Sequence, residues 1–176
     1  MVHLWHDITP GAPHKLNAII EIPEGSRVKY EIDKTSGLLM VDRIIPSSTV
    51  YPANYGFVPQ TLADDGDPLD VLVLTHFPVV PGVLLHVRPL GGIAMLDNDE
   101  HDDKIICVLH NDRTFEDVKC VSDLPEVAQQ EIEEFFRVYK RLEHKKVDVR
   151  ERISQAQAVK IIEHAIAQYK KKFSKF

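Results

Sequence analysis

Between Asn17 and His110 no stretch is long and periodic enough to be a helical crossover between parallel strands, and this absence constrains the fold more than any other feature. Short apolar or alternating runs stand there instead, each closed by turn residues. "NAIIEI" (17–22) is bounded by Pro23 and Gly25. "RVKYEID" (27–33) alternates strictly, so Lys29, Glu31 and Asp33 share one face and Val28, Tyr30 and Ile32 the other. "LLMVDRII" follows the Ser36-Gly37 turn in the pattern of a hairpin. "DVLVLT", "VLLHVRPL", "GGIAMLD" and "KIICVLH" continue the series. Short strands in such close succession predict an antiparallel barrel or sandwich.

The last third reads as helical. Asp123 is a candidate N-cap with Pro125 in the first turn, and Ala128, Ile132, Phe135, Tyr139 and Leu142 fall on one stripe. A second helix is expected from about Ser154, with Val159, Ile162, Ile166 and Phe173 as its stripe and the basic "YKKKF" at its end. Strands first and covering helices after make an α+β arrangement. At 176 residues and 44% hydrophobic, the chain suits one domain with its own core. Its expected division is an extension over 1–16, a mostly β part over 17–122 and a helical part over 123–176.

Charge and cysteines narrow the function classes. A net charge of −6 speaks against a nucleic-acid or anionic-membrane binder, because such surfaces are gripped with surplus Lys and Arg. The opening "MVHLWHDITPGAPHK" lacks a charged and then apolar signal pattern, and no apolar run reaches spanning length. Cys107, inside "KIICVLH", reads as a small core hydrophobe rather than half of a disulfide with Cys120. A reducing, cytoplasmic setting is expected. The nine histidines form no zinc spacing, and His3 and His6 fall in a stretch expected to be flexible.

The chemistry concentrates in "DDGDPLD". Asp, Gly and Pro are turn formers, so a solvated turn explains these residues as well. An EF-hand does not fit: counted from Asp65, Leu69 stands at an acidic position and the closing Glu is missing. The sharper reading is that Gly66 and Pro68 shape a loop in which Asp65, Asp67 and Asp70 converge, Asp70 opening a strand apolar on both faces. Carboxylates so crowded repel one another and would protonate unless a cation relieves them; Mg²⁺ takes oxygen ligands and shares them with phosphate. "MLDNDEHDDKII" adds Asp97, Asp102 and Lys104, while Asp64, Asp99, Glu100 and Asp103 read as solvated. Lys29 and Glu31 project from one strand face. Arg43 is a charge within an apolar strand, where it needs a partner, and its planar fork suits phosphate. Tyr51 and Tyr55 sit in "VYPANYGFVP", where core packing and phosphate contact are both open readings. Tyr139 falls on the helix stripe, and Lys140 beside it reads by default as solvated.

In this order the motifs resemble the family I soluble inorganic pyrophosphatases from about Asn17 to Lys146. Asp65-Gly66-Asp67-Pro68-Leu69-Asp70-Val71 matches the family's Asp-x-Asp-Pro-x-Asp signature, and "IEIPEGSRVKYEIDK", "VDR", "YPANYGFVP", "DDKI" and "FFRVYK" match around it. The resemblance implies an OB-like five-stranded antiparallel barrel flanked by C-terminal helices. It implies hydrolysis of pyrophosphate to two orthophosphates by a water that Mg²⁺ activates, with several ions bound and Mn²⁺ as a substitute. By motif, Asp65, Asp67, Asp70, Asp97 and Asp102 become metal ligands, with Glu21 and Glu31 completing the acidic wall. Lys29, Arg43, Tyr55, Lys104, Tyr139 and Lys140 become the phosphate grip, Tyr51 supports it, and Asp67 is the base for the attacking water. A homo-oligomer, commonly a hexamer in bacterial relatives, is implied too. The match fails at Arg150-Glu151-Arg152, where relatives often carry Gly-Trp. A Ca²⁺-binding structural module, a noncatalytic OB-type oligonucleotide binder and an inactive homologue are the competing classes.

Overall fold

The computed structural model describes residues 2–173. Its strands are β1 (Gly11–Ala12), β2 (Lys15–Ile22), β3 (Val28–Ile32), β4 (Leu39–Ile44), β5 (Asn54–Phe57), β6 (Asp70–Leu74), β7 (Leu84–Asp97), β8 (Glu100–His101), β9 (Lys104–Leu109) and β10 (Val147–Ile153). The helices are α1 (Glu126–Val138) and α2 (Gln155–Phe173).

Strands β2, β5, β6, β9 and β7 pair in that order, and β7 pairs back onto β2, closing a five-stranded ring. Closure removes the sheet edges that would otherwise invite association. The expectation of an OB-like barrel with C-terminal helices is met, but not as a wholly antiparallel sheet. β9 inserts between β6 and β7; being antiparallel to β7, it runs parallel to β6. No helical crossover is needed, because β7 itself makes the connection. The runs read as two strands, "VLLHVRPL" and "GGIAMLD", are one strand bent where the register slips between Pro89 and Gly91. Gly91 sits at φ +147°, and a Cβ there would lie 2.4 Å from the Ile153 carbonyl oxygen. Asn54–Phe57, not among the strands expected from the sequence, is a barrel strand. Gly56 allows its close approach: a Cβ would fall 1.9 Å from the Ile19 carbonyl oxygen.

β3 and β4 form a separate hairpin beside the barrel. β6 is apolar on both faces because Leu72 packs toward α1 with Tyr51, Ile93 and Phe136, while Val71 and Val73 pack toward α2 with Cys107 and Ile162. The α1 stripe is Ile132, Phe135, Phe136 and Tyr139; the helix ends there, so Leu142 is exposed. Pro125, not Asp123, occupies the N-cap position of α1. The Asp123 carboxylate instead accepts from the Lys119 and Cys120 N–H groups at 2.8 and 3.0 Å, capping a short 3-10 turn. On α2 the buried residues are Ala158, Ile162, Ala165 and Tyr169, one position round from the expected stripe, and Phe173 is exposed. The C-terminal third also contains β10, which the sequence pattern missed. Arg152, in the stretch that departs from the family pattern, clips β10 to α1 through Glu126 and Glu133. The N-terminal segment is packed rather than loose: Trp5 is buried against Phe57, Leu62 and Tyr169.

Candidate active site

A cleft opens where the β3–β4 hairpin, the 63–70 loop, the end of β7 and the end of α1 meet. Its empty volume, mouth included, is about 780 Å³. Seven carboxylates face it (Glu21, Glu31, Asp65, Asp67, Asp70, Asp97, Asp102) against four lysines (Lys29, Lys34, Lys104, Lys140).

The acidic loop owes its shape to local bonds. Gly66 takes φ +88°, and its N–H donates to the Ala63 carbonyl at 3.1 Å. The Asp67 N–H donates to the Asp65 carboxylate at 2.9 Å, and the Ala63 N–H to the Asp67 carbonyl at 2.7 Å. The Thr61 hydroxyl accepts from the Leu69 N–H at 2.9 Å and donates to the Val58 carbonyl. Asp70 pairs with Phe57 as the first rung of β6, at the head of three buried residues.

Two bulges aim side chains into or beside the cleft. The β2–β5 register slips between Ile20 and Ile22, turning Glu21 inward, where it accepts from the Ile32 N–H at 2.8 Å. Burial pushes its carboxyl up to about 8, with Asp70 adding. The β3–β4 register slips between Lys29 and Tyr30, and the extra residue is Asp42. Asp42 meets both Lys29 and Arg43. Burial and the adjacent guanidinium hold the Lys29 amine below its ordinary range, which Asp42 partly offsets.

The lysines lie between the carboxylates. Lys104, 2% exposed, bonds both Asp70 and Asp102. Burial would lower its pKa, but the two carboxylates outweigh that and raise it. Lys140, solvated by default in the residue pattern but part of the phosphate grip by resemblance, lines the cleft, buried and paired with Asp97. Lys29 pairs with Glu31 on the face the alternation predicted. Among the described residues no three Asp, Glu, His or Cys converge at metal-binding spacing. The donor set nevertheless fits a hard divalent ion: it is all oxygen, and negative charge remains in excess. Burial pushes Asp65 up to about 6, opposed by the Asp67 N–H and reinforced by Asp70, Asp102 and Asp67. Asp70 is likewise raised by burial, against the pull of Lys104. A bound cation would relieve this strain.

Burial raises the phenols of Tyr51, Tyr55 and Tyr139 well above 10, so all three remain neutral donors. Tyr55 and Tyr139 line the cleft; Tyr51 lies behind them, packed on Tyr55 and Phe135. Arg43 stands at the flank rather than in the wall. It pairs with Asp42 and, at 2.9 Å, with Glu143, while its Nη2 is buried without a partner. The sequence patterns missed Asp42, Glu143 and Lys34. Asp42 could have been found as the acid set between Val41 and Arg43; Glu143 is a hundred residues from its partner and carries no local signal.

A family model described as inorganic pyrophosphatase matches residues 18–170. Soluble inorganic pyrophosphatase 2 of Chlamydomonas reinhardtii is 48% identical over 97% of this chain and 90% of that protein. The soluble inorganic pyrophosphatase of Zea mays is 51% identical over 84% of this chain and 70% of its own length. The crystal structure of inorganic pyrophosphatase from Thermus thermophilus superposes with TM-score 0.92 at 39% identity, covering 96% of this chain and 99% of that one. A truncated vacuolar soluble pyrophosphatase of Trypanosoma cruzi, solved in complex with PPi, superposes with TM-score 0.88 at 26% identity over 98% of this chain and 80% of that one.

Proposed function

Since the chain belongs to the inorganic pyrophosphatase family, we propose that it hydrolyses pyrophosphate to two orthophosphates in the cleft. The observation that carries this reading is one cavity in which lysines and neutral phenols are set among an excess of carboxylates. Such a mixture suits a highly anionic phosphate arriving with divalent cations. The relative solved with PPi supports the same substrate.

In this reading Asp65, Asp70, Asp97 and Asp102 hold Mg²⁺, with Glu21 and Glu31 filling the acidic wall and Mn²⁺ as a substitute. Bound divalent ions supply charge neutralisation and lower the pKa of a water from 15.7 toward roughly 7. Asp67, half-exposed at the centre of the loop, takes the proton of the attacking water. The bond from water oxygen to one phosphorus forms as the bond to the bridging oxygen breaks. Lys29, Lys104, Lys140 and the hydroxyls of Tyr55 and Tyr139 orient the two phosphates and offset charge on the leaving one. Tyr51 backs Tyr55. Of the Arg43 guanidinium, Nη2 alone has no carboxylate partner, and this nitrogen is assigned to a phosphate oxygen. A homo-oligomer, hexameric by resemblance, and a cytoplasmic setting belong to the same reading.

The test is phosphate release from pyrophosphate with Mg²⁺, with EDTA, and with ATP as a competing substrate. Mg²⁺-dependent release is expected, and Asp67→Asn should lower kcat by roughly 10²–10⁴. No release from pyrophosphate would refute the function; wild-type kcat in the Asn variant across pH would refute the role of Asp67. Metal binding without phosphate release would favour a structural Ca²⁺ module.

A further inference from the structure

Lys34 carries no role in the motif reading, yet it enters the cleft and pairs with Asp67. It rides on a turn built around Asp33, whose carboxylate accepts from the Ser36 N–H at 2.9 Å and whose carbonyl accepts from the Gly37 N–H at 2.8 Å. Gly37 takes φ +73°, and any Cβ there would lie 2.7 Å from the His3 ring and 2.8 Å from its Cα. His3 therefore rests directly on this turn, with its Nε2 3.2 Å from the Lys34 carbonyl oxygen. The same N-terminal segment also holds the 60–61 stretch that leads into the acidic loop. The Trp5 indole donates to the Thr61 carbonyl at 2.9 Å, the Gln60 N–H donates to the Trp5 carbonyl at 2.9 Å, and the Gln60 amide donates to the His6 carbonyl at 2.7 Å. Thr61 in turn ties down Leu69 at the end of the acidic loop.

We propose that Lys34 is a further phosphate-gripping residue of this site, held at the cleft mouth by the N-terminal segment through His3. A half-exposed ion pair of this kind contributes at most ~1 kcal/mol to folding, so stability does not explain its place. Lys104 and Lys140 are buried on their carboxylates, whereas the Lys34 side chain is 53% exposed. Its ammonium offers three donors, and one carboxylate contact leaves the others free for a phosphate oxygen. Asp67 parks the amine beside the reaction centre until an anion arrives.

The inference rests on the cleft being a pyrophosphatase site, and the experiment separates the two. Steady-state kinetics on pyrophosphate and calorimetric binding of inorganic phosphate would be measured for wild type, Lys34→Ala, Lys34→Arg, His3→Ala and the Lys34→Ala/His3→Ala pair. Lys34→Ala should raise KM and weaken phosphate binding about ten-fold, the scale of one charge-assisted hydrogen bond at a half-exposed site, with a smaller change in kcat. Lys34→Arg should restore most of the loss. His3→Ala should shift KM in the same direction by less, and add nothing on top of Lys34→Ala. KM and phosphate affinity in Lys34→Ala within about two-fold of wild type would overturn the assignment. A His3→Ala effect that adds in full would overturn the part given to the N-terminal segment. A wild-type protein without turnover would refute the pyrophosphatase reading instead, while phosphate affinity would still decide the role of Lys34.

Discussion

Replacing Lys104 by Met should convert a buried counter-ion into a demand for metal. The ammonium bonds Asp70 and Asp102, and the three side chains are 3%, 22% and 14% exposed. Met keeps the length and apolar stem while deleting the charge. Removing one partner of a buried ion pair costs about 3–5 kcal/mol, since the remaining charge is left uncompensated. Here both carboxylates keep some access to water, so the low end applies. For a chain of this size, ~3 kcal/mol corresponds to a fall in Tm of roughly 6–12 °C. Scanning calorimetry in EDTA should show that fall, with the fold otherwise intact by circular dichroism. Excess Mg²⁺ should then narrow the gap to wild type, because a divalent ion on Asp70 and Asp102 supplies the missing charge, even though turnover does not recover. An unchanged Tm in EDTA would refute the counter-ion argument. A gap that stays constant while Mg²⁺ stabilises the wild type would show that the ion does not rest on these two carboxylates.

Two further outcomes follow from burial. Glu21 holds its proton to about pH 8 in the fold but releases it near the ordinary 4.5 once unfolded; the native state thus binds more protons over that window, and stability in EDTA should fall as pH rises through it. Glu21→Gln should flatten that slope in denaturant melts, and an unaltered slope would place its origin elsewhere. Burial pushes the Cys107 thiol up, whereas Cys120 is partly exposed, so a thiol reagent should modify one cysteine in the native protein and both after denaturation; two fast-reacting thiols would contradict the packing between α2 and the barrel.

What the sequence made legible was local. Alternation placed Lys29 beside Glu31, and the apolar run after Asp70 located β6, because both signals span only a few residues. The parallel pairing of β6 with β9 was hidden, since it follows from a strand inserted between two others and leaves no mark on either. Strand β5 was hidden by its own turn-forming residues: Gly56 reads as a breaker until Ile19 is seen pressing on it. Likewise Lys140 looked solvated because helical periodicity assigns a face only within a helix. α1 ends at Val138, and past that point the chain turns and brings the amine to Asp97 on β7.

The same distinction explains why the acidic signature was readable as a unit and the pairing of each cation with its carboxylate was not. The carboxylates of the 65–70 loop must sit within a few residues of one another, because one tight turn has to aim them at one volume. Their partners face no such constraint. Lys34 reaches Asp67 from the β3–β4 turn, Lys104 reaches Asp70 from β9, and Lys140 reaches Asp97 from beyond α1. Each cation is carried on a different element, so its distance from the acidic wall is set by how that element packs. A site built this way holds part of its negative charge in one tight loop and brings positive charge from several sides. That arrangement would surround a phosphate bound there without bringing the lysines together to repel one another.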